Sequence, residues 1–439
     1  MHYWPVNMEA LKCKTKKPTS TNPATPESLA ELALGAYVSR LATESKENST
    51  VEVEYLPTRF IIDALEMMCE YPKLVNIQRQ LLTNPWVISR ILKDGSNNQT
   101  KLVKCFQWLE VLQRSIVSDM VANYCYQFRK TTIQDDSHPL GYEASLRLGT
   151  FLSESGWHTE AVKVLNVARH QAEHRPLQQL KAMRPQLISQ TYMWHTTAFD
   201  TSMAILTLIT SNPDLPKPFV ASLYLAISIC RFESYSFELS HEFALKAFEL
   251  LDEETSTNRL IIEVFAHLAK TCIPQKKTRE AKLMITQAVS RAWHKFGSPS
   301  VIYARALEDY AFYLVMMNAL YDSYTVFSEA VNVLLQVYGP QNLQRSVTKG
   351  NLSFDYYFNC VYIYSDLQLA KEYVRSQIEL NVFDHRMVAA AKQVYALLEA
   401  STARFGENDE DCNRQRDEYQ PIQTQLSVAT VKRLFRELK

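Results

Sequence analysis

The 439-residue chain contains only nine glycines, and the glycine patterns GxGxxG, GxxxxGK(S/T) and GxSxG are all absent. Without a backbone cradle for phosphate or a nucleophile elbow, the nucleotide-binding and α/β-hydrolase classes lose their usual framework, and no cofactor is expected. The eight cysteines, Cys13, Cys69, Cys105, Cys125, Cys230, Cys272, Cys360 and Cys412, are scattered without a CxxC pair. They read as reduced packing residues, not as a zinc site or a disulfide framework. The most apolar runs, 203–209 and 220–230, fall short of the ~20 residues a membrane span needs. Residues 1–17 lack the uninterrupted apolar stretch of a secretory leader, so a cytoplasmic or nuclear chain is expected. Neither sign of charge prevails, with 47 basic and 47 acidic side chains, so no net field draws the chain to nucleic acid or to an anionic membrane.

What is present is a repeat. Leu268, Ala269, Cys272, Ala281, Ile285 and Ala288 are answered 42 residues later by Tyr310, Ala311, Leu314, Ser323, Phe327 and Ala330. Small residues recur where a first helix must approach a second, with large apolar residues beside them, as in tetratricopeptide units. Each segment ends on an aromatic-Gly pair, Phe296-Gly297 and Tyr338-Gly339, with Pro299 and Pro340 close behind to stop the helix. An isolated hairpin cannot bury its apolar face, so the pattern implies a stack.

Taken in order, residues 1–26 form a Pro-, Ser- and Lys-rich leader expected to be disordered, and 27–140 a helical adaptor region without a clear period. Residues 141–405 are expected to form about six hairpins. The first carries Leu148, Gly149, Leu152, Gly156, Ala161, Leu165 and Ala168 at the tetratricopeptide positions, and the third carries Ser240, Ala244 and Ala247. A degenerate unit spans 177–211 between them, and an irregular sixth begins at Leu352, Ser353 and Tyr356. A further helix is predicted over 387–398. Residues 406–439 should hold a charged loop and then an amphipathic helix over 427–438 that caps the stack. The fold class is thus all-α, a right-handed tetratricopeptide-like superhelical solenoid behind a helical adaptor region.

First helices line the inner groove of such a stack. Counting register positions places Lys270, Arg305, Glu308 and Phe312 there, and Phe354 and Tyr357 in the sixth unit. Cations beside aromatics can hold the backbone or carboxylate of an extended peptide, with the rings taking its apolar side chains. The Lys and Asn clamp that co-chaperone repeats use for acidic C-termini is absent, since Leu146, Thr150, Leu225 and Ile229 stand at those positions. One catalytic pattern competes: His170, Glu173 and His174 form His-x-x-Glu-His, a metal-binding arrangement that would suit a hydrolase. It falls at the end of a repeat helix just before Pro176, a position that favours histidine for reasons of helix electrostatics alone.

Four stretches carry a family resemblance: Leu148-Gly149-Thr150-Phe151-Leu152-Ser153-Glu154-Ser155-Gly156-Trp157; Arg279-Glu280-Ala281 through His294-Lys295-Phe296-Gly297; Asp309-Tyr310-Ala311-Phe312-Tyr313-Leu314; and Lys104-Cys105-Phe106-Gln107. Together they resemble the amyloid protein-binding protein 2 family, whose repeats are similar to those of kinesin light chains. The resemblance implies a non-enzymatic receptor for client peptide tails, such as that of the amyloid precursor protein, in transport on microtubules or with kinesin. It also implies a substrate-recognition subunit of a cullin-2 type ubiquitin ligase, with elongins B and C bound by the N-terminal helices. Leu56, Pro57, Phe60 and Ala64 lie where the family has its elongin-binding box, although Tyr55 and Phe60 are bulkier than that box usually takes. The family continues with further repeats beyond the helix at 387–398, where this sequence passes into its charged segment.

Overall fold

The computed structural model describes residues 29–44, 53–93, 96–112, 116–130, 138–193, 195–338 and 425–438, and the regular elements among them are helical. The protein is all-α. The sixth unit, the helix at 387–398 and the charged loop lie outside the described residues. In chain order the first eight helices are α1 (Leu29–Glu44), α2 (Thr58–Met68), α3 (Val75–Thr83), α4 (Pro85–Lys93), α5 (Ser96–Leu112), α6 (Ile116–Lys130), α7 (Tyr142–Glu154) and α8 (His158–Gln171). Then come α9 (Pro176–Tyr192), α10 (Thr197–Ser211), α11 (Lys217–Glu233), α12 (Phe237–Glu249), α13 (Asn258–Cys272), α14 (Thr278–Phe296), α15 (Val301–Met316), α16 (Leu320–Tyr338) and α17 (Val428–Glu437).

Four antiparallel pairs, α7–α8, α11–α12, α13–α14 and α15–α16, share one design. Gly149, Ser228, Ala269 and Ala311 on the first helices each precede by twelve residues Ala161, Ser240, Ala281 and Ser323 on the second. The second-helix set is completely buried. The approach at these points leaves no space for larger side chains: a β-carbon added at Gly149 would sit 2.5 Å from Leu165 Cγ. Where serines replace alanines they bond across the crossing. Ser228 Oγ donates to the Ser240 carbonyl at 2.6 Å, Ser240 Oγ to the Ser228 carbonyl at 2.8 Å, and Ser323 Oγ to the Ala311 carbonyl at 3.0 Å.

The turns repeat as faithfully. Gly156, Tyr235, Lys276 and Asn318 all have positive φ, from 58° to 93°. Each follows its first helix in a two-bond closure: in the third of them, Lys276 N–H donates to Ile273 C=O at 2.9 Å and Lys277 N–H to Cys272 C=O at 3.0 Å. This is a Schellman ending, which satisfies carbonyls that a terminating helix would otherwise strand. Tyr235 and Lys276 accept a left-handed conformation that opposes a side chain by about 1–2 kcal/mol. The reward is the immediate start of the second helix.

The described helices fall into two compact units that divide between Gln186 and Leu187. The boundary lies inside α9, one residue beyond Pro185, which lacks the amide donor a helix interior uses. In the earlier unit, Phe106 of α5 packs its ring 5.8 Å from Trp157 and 6.3 Å from Phe151, joining the helices before α7 to the first repeat hairpin. In the later unit α11 to α16 stack as consecutive hairpins, first helix beside first helix, around one continuous apolar core.

That core also includes Val428, Val431 and Phe435 of α17. The helix lies against α12 and α14, with the Phe435 ring 5.3 Å from that of Phe248. Arg291, 1% exposed, fixes its entry: it grips Glu253 through two bonds of 2.8 and 3.0 Å, and also donates to Asn258 Oδ1 and to the Leu426 carbonyl. Glu253 in turn accepts from the Val428 amide at 2.9 Å, and Lys432 Nζ caps the carbonyls of Glu249 and Leu251 at the end of α12. The docking surface is the second helices of the second and third of the four regular pairs, a position that the repeat register alone did not indicate.

Candidate functional site

On the first-helix side of the later unit, four of the register-derived residues occupy neighbouring turns of α13 and α15. Lys270 forms an ion pair with Asp309 and lies 6.0 Å from the centroid of the Phe312 ring. Arg305 is half-buried, whereas Glu308 is buried. Phe354 and Tyr357 lie outside the described residues.

The charges form a field that sequence counting did not reveal. Burial pushes the Tyr192 phenol up to about 12, with Glu233 and Asp309 adding to the shift and Lys270 and Arg305 opposing it. Burial also raises the Glu233 carboxyl above its ordinary range, with Lys270 opposing. Thus Lys270 is neutralised mainly from within the protein, and the arrangement is not a bare cationic clamp for a carboxylate.

Beside the charges lies a hollow of about 180 Å³, lined by Phe232, Glu233, Tyr235, Phe237, Ile273, Pro274, Phe312 and Met316. It sits at the turn end of the first helices. Phe232 and Ile273 occupy equivalent register positions, as do Glu233, Pro274 and Met316. Tyr235 and Met316 are more than half exposed at its rim. A hollow of this lining accepts an apolar side chain, and the ionised groups next to it can meet the polar backbone or a charged neighbour of that side chain. The spacing could have exposed part of it, because Phe232, Glu233, Ile273, Pro274 and Met316 fall four or five residues after a crossing residue, past the mid-helix positions where Lys270 and Phe312 were sought.

His267 backs the site. Its Nε2 is 2.9 Å from Ser228 Oγ, and because that hydroxyl donates to the Ser240 carbonyl, the imidazole is the donor in this pair. Burial, helped by nearby Lys270, lowers its pKa to about 3. The sign follows from linkage: between pH 6.5 and 3 the unfolded chain binds a proton that the folded chain refuses, so stability falls with pH across that window. Going from pH 7 to pH 5 is expected to remove roughly 2 kcal/mol through this residue. Urea unfolding at the two pH values, with His267→Gln as control, measures it; an equal loss in the variant would assign the effect elsewhere.

The earlier unit holds the other candidate residues. Arg90 donates to the carbonyls of Glu54 and Leu56 at 2.5 and 2.8 Å, which fixes the segment leading into α2. Pro57 is exposed, Leu56 and Phe60 are half-buried, and Arg59 stacks 4.4 Å over the Phe60 ring. Ala64 is completely buried and serves the core of its own unit. His170, Glu173 and His174 are all exposed at and beyond the end of α8. Among the described residues, no group of three or more His, Cys, Asp or Glu side chains converges as a metal site would require. No described helix is long and apolar enough to cross a membrane.

No family model matches the sequence. The chain is similar to amyloid protein-binding protein 2 of Rattus norvegicus, with 20% identity over 391 residues that cover 85% of this chain and 64% of the relative. The Mus musculus protein of the same name matches to the same extent. The chain therefore spans less than two thirds of the length of these curated relatives. A Rap protein, solved in complex with competence and sporulation factor, aligns with 86% of this chain and 99% of its own at 10% identity and a TM-score of 0.40.

Proposed function

We propose that the chain is a non-enzymatic receptor that holds short extended peptides on the first helices of its later unit. An apolar residue of the peptide enters the hollow between Phe232, Ile273 and Phe312, and neighbouring groups meet the charges around Lys270, Asp309 and Glu233. The observation that carries this reading is the adjacency of that open hollow, at the turn ends of three stacked first helices, to the ion-paired cluster. Similarity to proteins named for binding amyloid protein supports a protein ligand. In this reading the peptides are C-terminal degrons or cytosolic tails, and the chain is the substrate-recognition subunit of a cullin-2 type ubiquitin ligase. Elongins B and C then bind near Leu56, Pro57 and Phe60, the accessible part of the segment fixed by Arg90.

Affinity purification of the full chain tests the ligase role. Recovery of elongins B and C with a cullin is the expected result. Recovery of kinesin or tubulin without them would make it a cargo adaptor in transport, with the peptide-binding face unaffected.

A further inference from the structure

Among the described residues of the later unit two arginines are buried, and they differ in what balances their charge. Arg291 meets the Glu253 carboxylate. Arg231, in the last turn of α11, is 8% exposed, and no described carboxylate pairs with it. Its Nη2 donates to Ser202 Oγ at 3.2 Å and lies 3.8 Å from Met203 Sδ, its guanidinium stacks 4.4 Å over the Phe199 ring, and its Nε is enclosed without an acceptor. Ser202 Oγ gives its own proton to the Phe199 carbonyl at 2.7 Å, so towards the guanidinium it only accepts. A desolvated cation held by a hydroxyl, a thioether and a ring keeps much of its electrostatic cost. The C-terminal end of α11 offsets part of it, and one anion would offset the rest.

The surroundings say where that anion sits and of what kind it is. Phe199, Ser202 and Met203 belong to the first two turns of α10. The Thr196 side chain does not cap that helix, and the Phe199 amide, third in it, has no helical carbonyl one turn earlier. The positive end of α10 and the buried guanidinium therefore add their potentials at one spot. Phe199 and Met203 are 54% and 44% exposed, so the side chains over the guanidinium can turn outward without disturbing the core. One guanidinium balances the single charge of a carboxylate, with which it forms paired hydrogen bonds, and not the double charge of a phosphate.

We propose that Arg231 and the start of α10 form a binding site for a carboxylate of an extended peptide, with Phe199 and Met203 packing on the apolar chain beside it. The inference rests on the receptor reading above and deepens it. Arg231 directly precedes Phe232 and Glu233 of the hollow, so a peptide anchored there by an apolar residue continues past the end of α11 to place its acid. Arg231, not the internally neutralised Lys270, is then the cation that reads it.

Peptides displayed with free C-termini are selected on the full chain, and the strongest binder is synthesised unchanged, with its C-terminus amidated, and with any Asp or Glu replaced by Asn or Gln. Fluorescence anisotropy then compares the wild-type protein, Arg231→Met and Phe312→Ala. One of the two neutralised peptides should bind the wild type about tenfold more weakly, which identifies the source of the carboxylate. Arg231→Met should lose the same factor on the unchanged peptide and nothing further on that neutralised one, whereas Phe312→Ala should weaken all forms. Equal binding of the unchanged peptide by wild type and Arg231→Met, with a loss in Phe312→Ala alone, overturns the carboxylate site and leaves the receptor reading standing. A selection that yields no binder removes the receptor reading, and this inference falls with it. Because no counter-charge is lost, Arg231→Met should also unfold within about 3 °C of the wild type. A much lower unfolding temperature would make the guanidinium a structural strut and overturn the proposal.

Discussion

Replacing Arg291 with alanine is expected to destabilise the later unit by about 3 kcal/mol and to release α17 from α12 and α14. The guanidinium is 1% exposed, while its partner Glu253 is 42% exposed, which places the cost at the lower end for breaking a buried pair. The loss is large because one side chain serves three acceptors: the Glu253 carboxylate, Asn258 Oδ1 and the Leu426 carbonyl. Removing it strands the last two and frees Glu253, whose carboxylate also receives the Val428 amide. Arg291, chiefly, holds the Glu253 carboxyl below its ordinary range. Its contribution is therefore complete above that range and is lost as pH falls through the lowered value. Hydrogen exchange at the amides of α17 separates undocking from general weakening. Full exchange there with protection retained in α13 is the expected pattern, and retained protection in α17 would show that its apolar contacts suffice.

The second large effect concerns the helix crossings. Ser240→Leu places a bulky side chain at a fully buried position and severs the reciprocal bonds between Ser228 and Ser240. Overpacking and stranded polar groups together are expected to cost about 4 kcal/mol, enough to unfold a marginal unit. Ser240→Ala retains the close approach and loses only the hydroxyl, so about 1 kcal/mol is expected. Circular dichroism during thermal unfolding distinguishes them. A leucine variant as stable as the alanine variant would mean that the approach is looser than the crossing geometry requires. The pair at Gly149 and Leu165 makes the same argument in the earlier unit, where even a methyl group meets Leu165 Cγ.

These crossings were legible in the sequence because one spacing enforces them: a small residue, then another twelve positions later, on both helices of each hairpin. The turns were only half legible. Gly156 advertises a left-handed residue, but Tyr235, Lys276 and Asn318 adopt the same conformation without being glycine, held there by the paired amide bonds around them. The register positions chosen on the first helices, Phe312 apart, fall short of the hollow at the helix ends. Phe312 lines that hollow, but it is completed by Phe232, Ile273 and Met316, side chains from three successive hairpins that only the stack brings together.

Pairing across the stack was also hidden. Nothing in local sequence assigns Asp309 to Lys270 when the partners come from different hairpins, and this pairing changes a supposed free cation into part of a balanced cluster. The amphipathic pattern at 427–438 announced a buried face and was expected to cap the stack, without naming the helices it would cover. Its partners, Phe248, Glu253 and Arg291, lie far back in the chain, and an apolar stripe carries no address.

The receptor reading turns on the hollow bordered by Phe312, and peptide binding to that one side chain tests it most directly. Peptides selected from a random display library on the full chain would be labelled and titrated by fluorescence anisotropy against the wild-type protein and Phe312→Ala. The account predicts at least about tenfold weaker binding to the variant, about 1.4 kcal/mol, with cooperative unfolding retained. Selected peptides that bind both proteins equally well would contradict it.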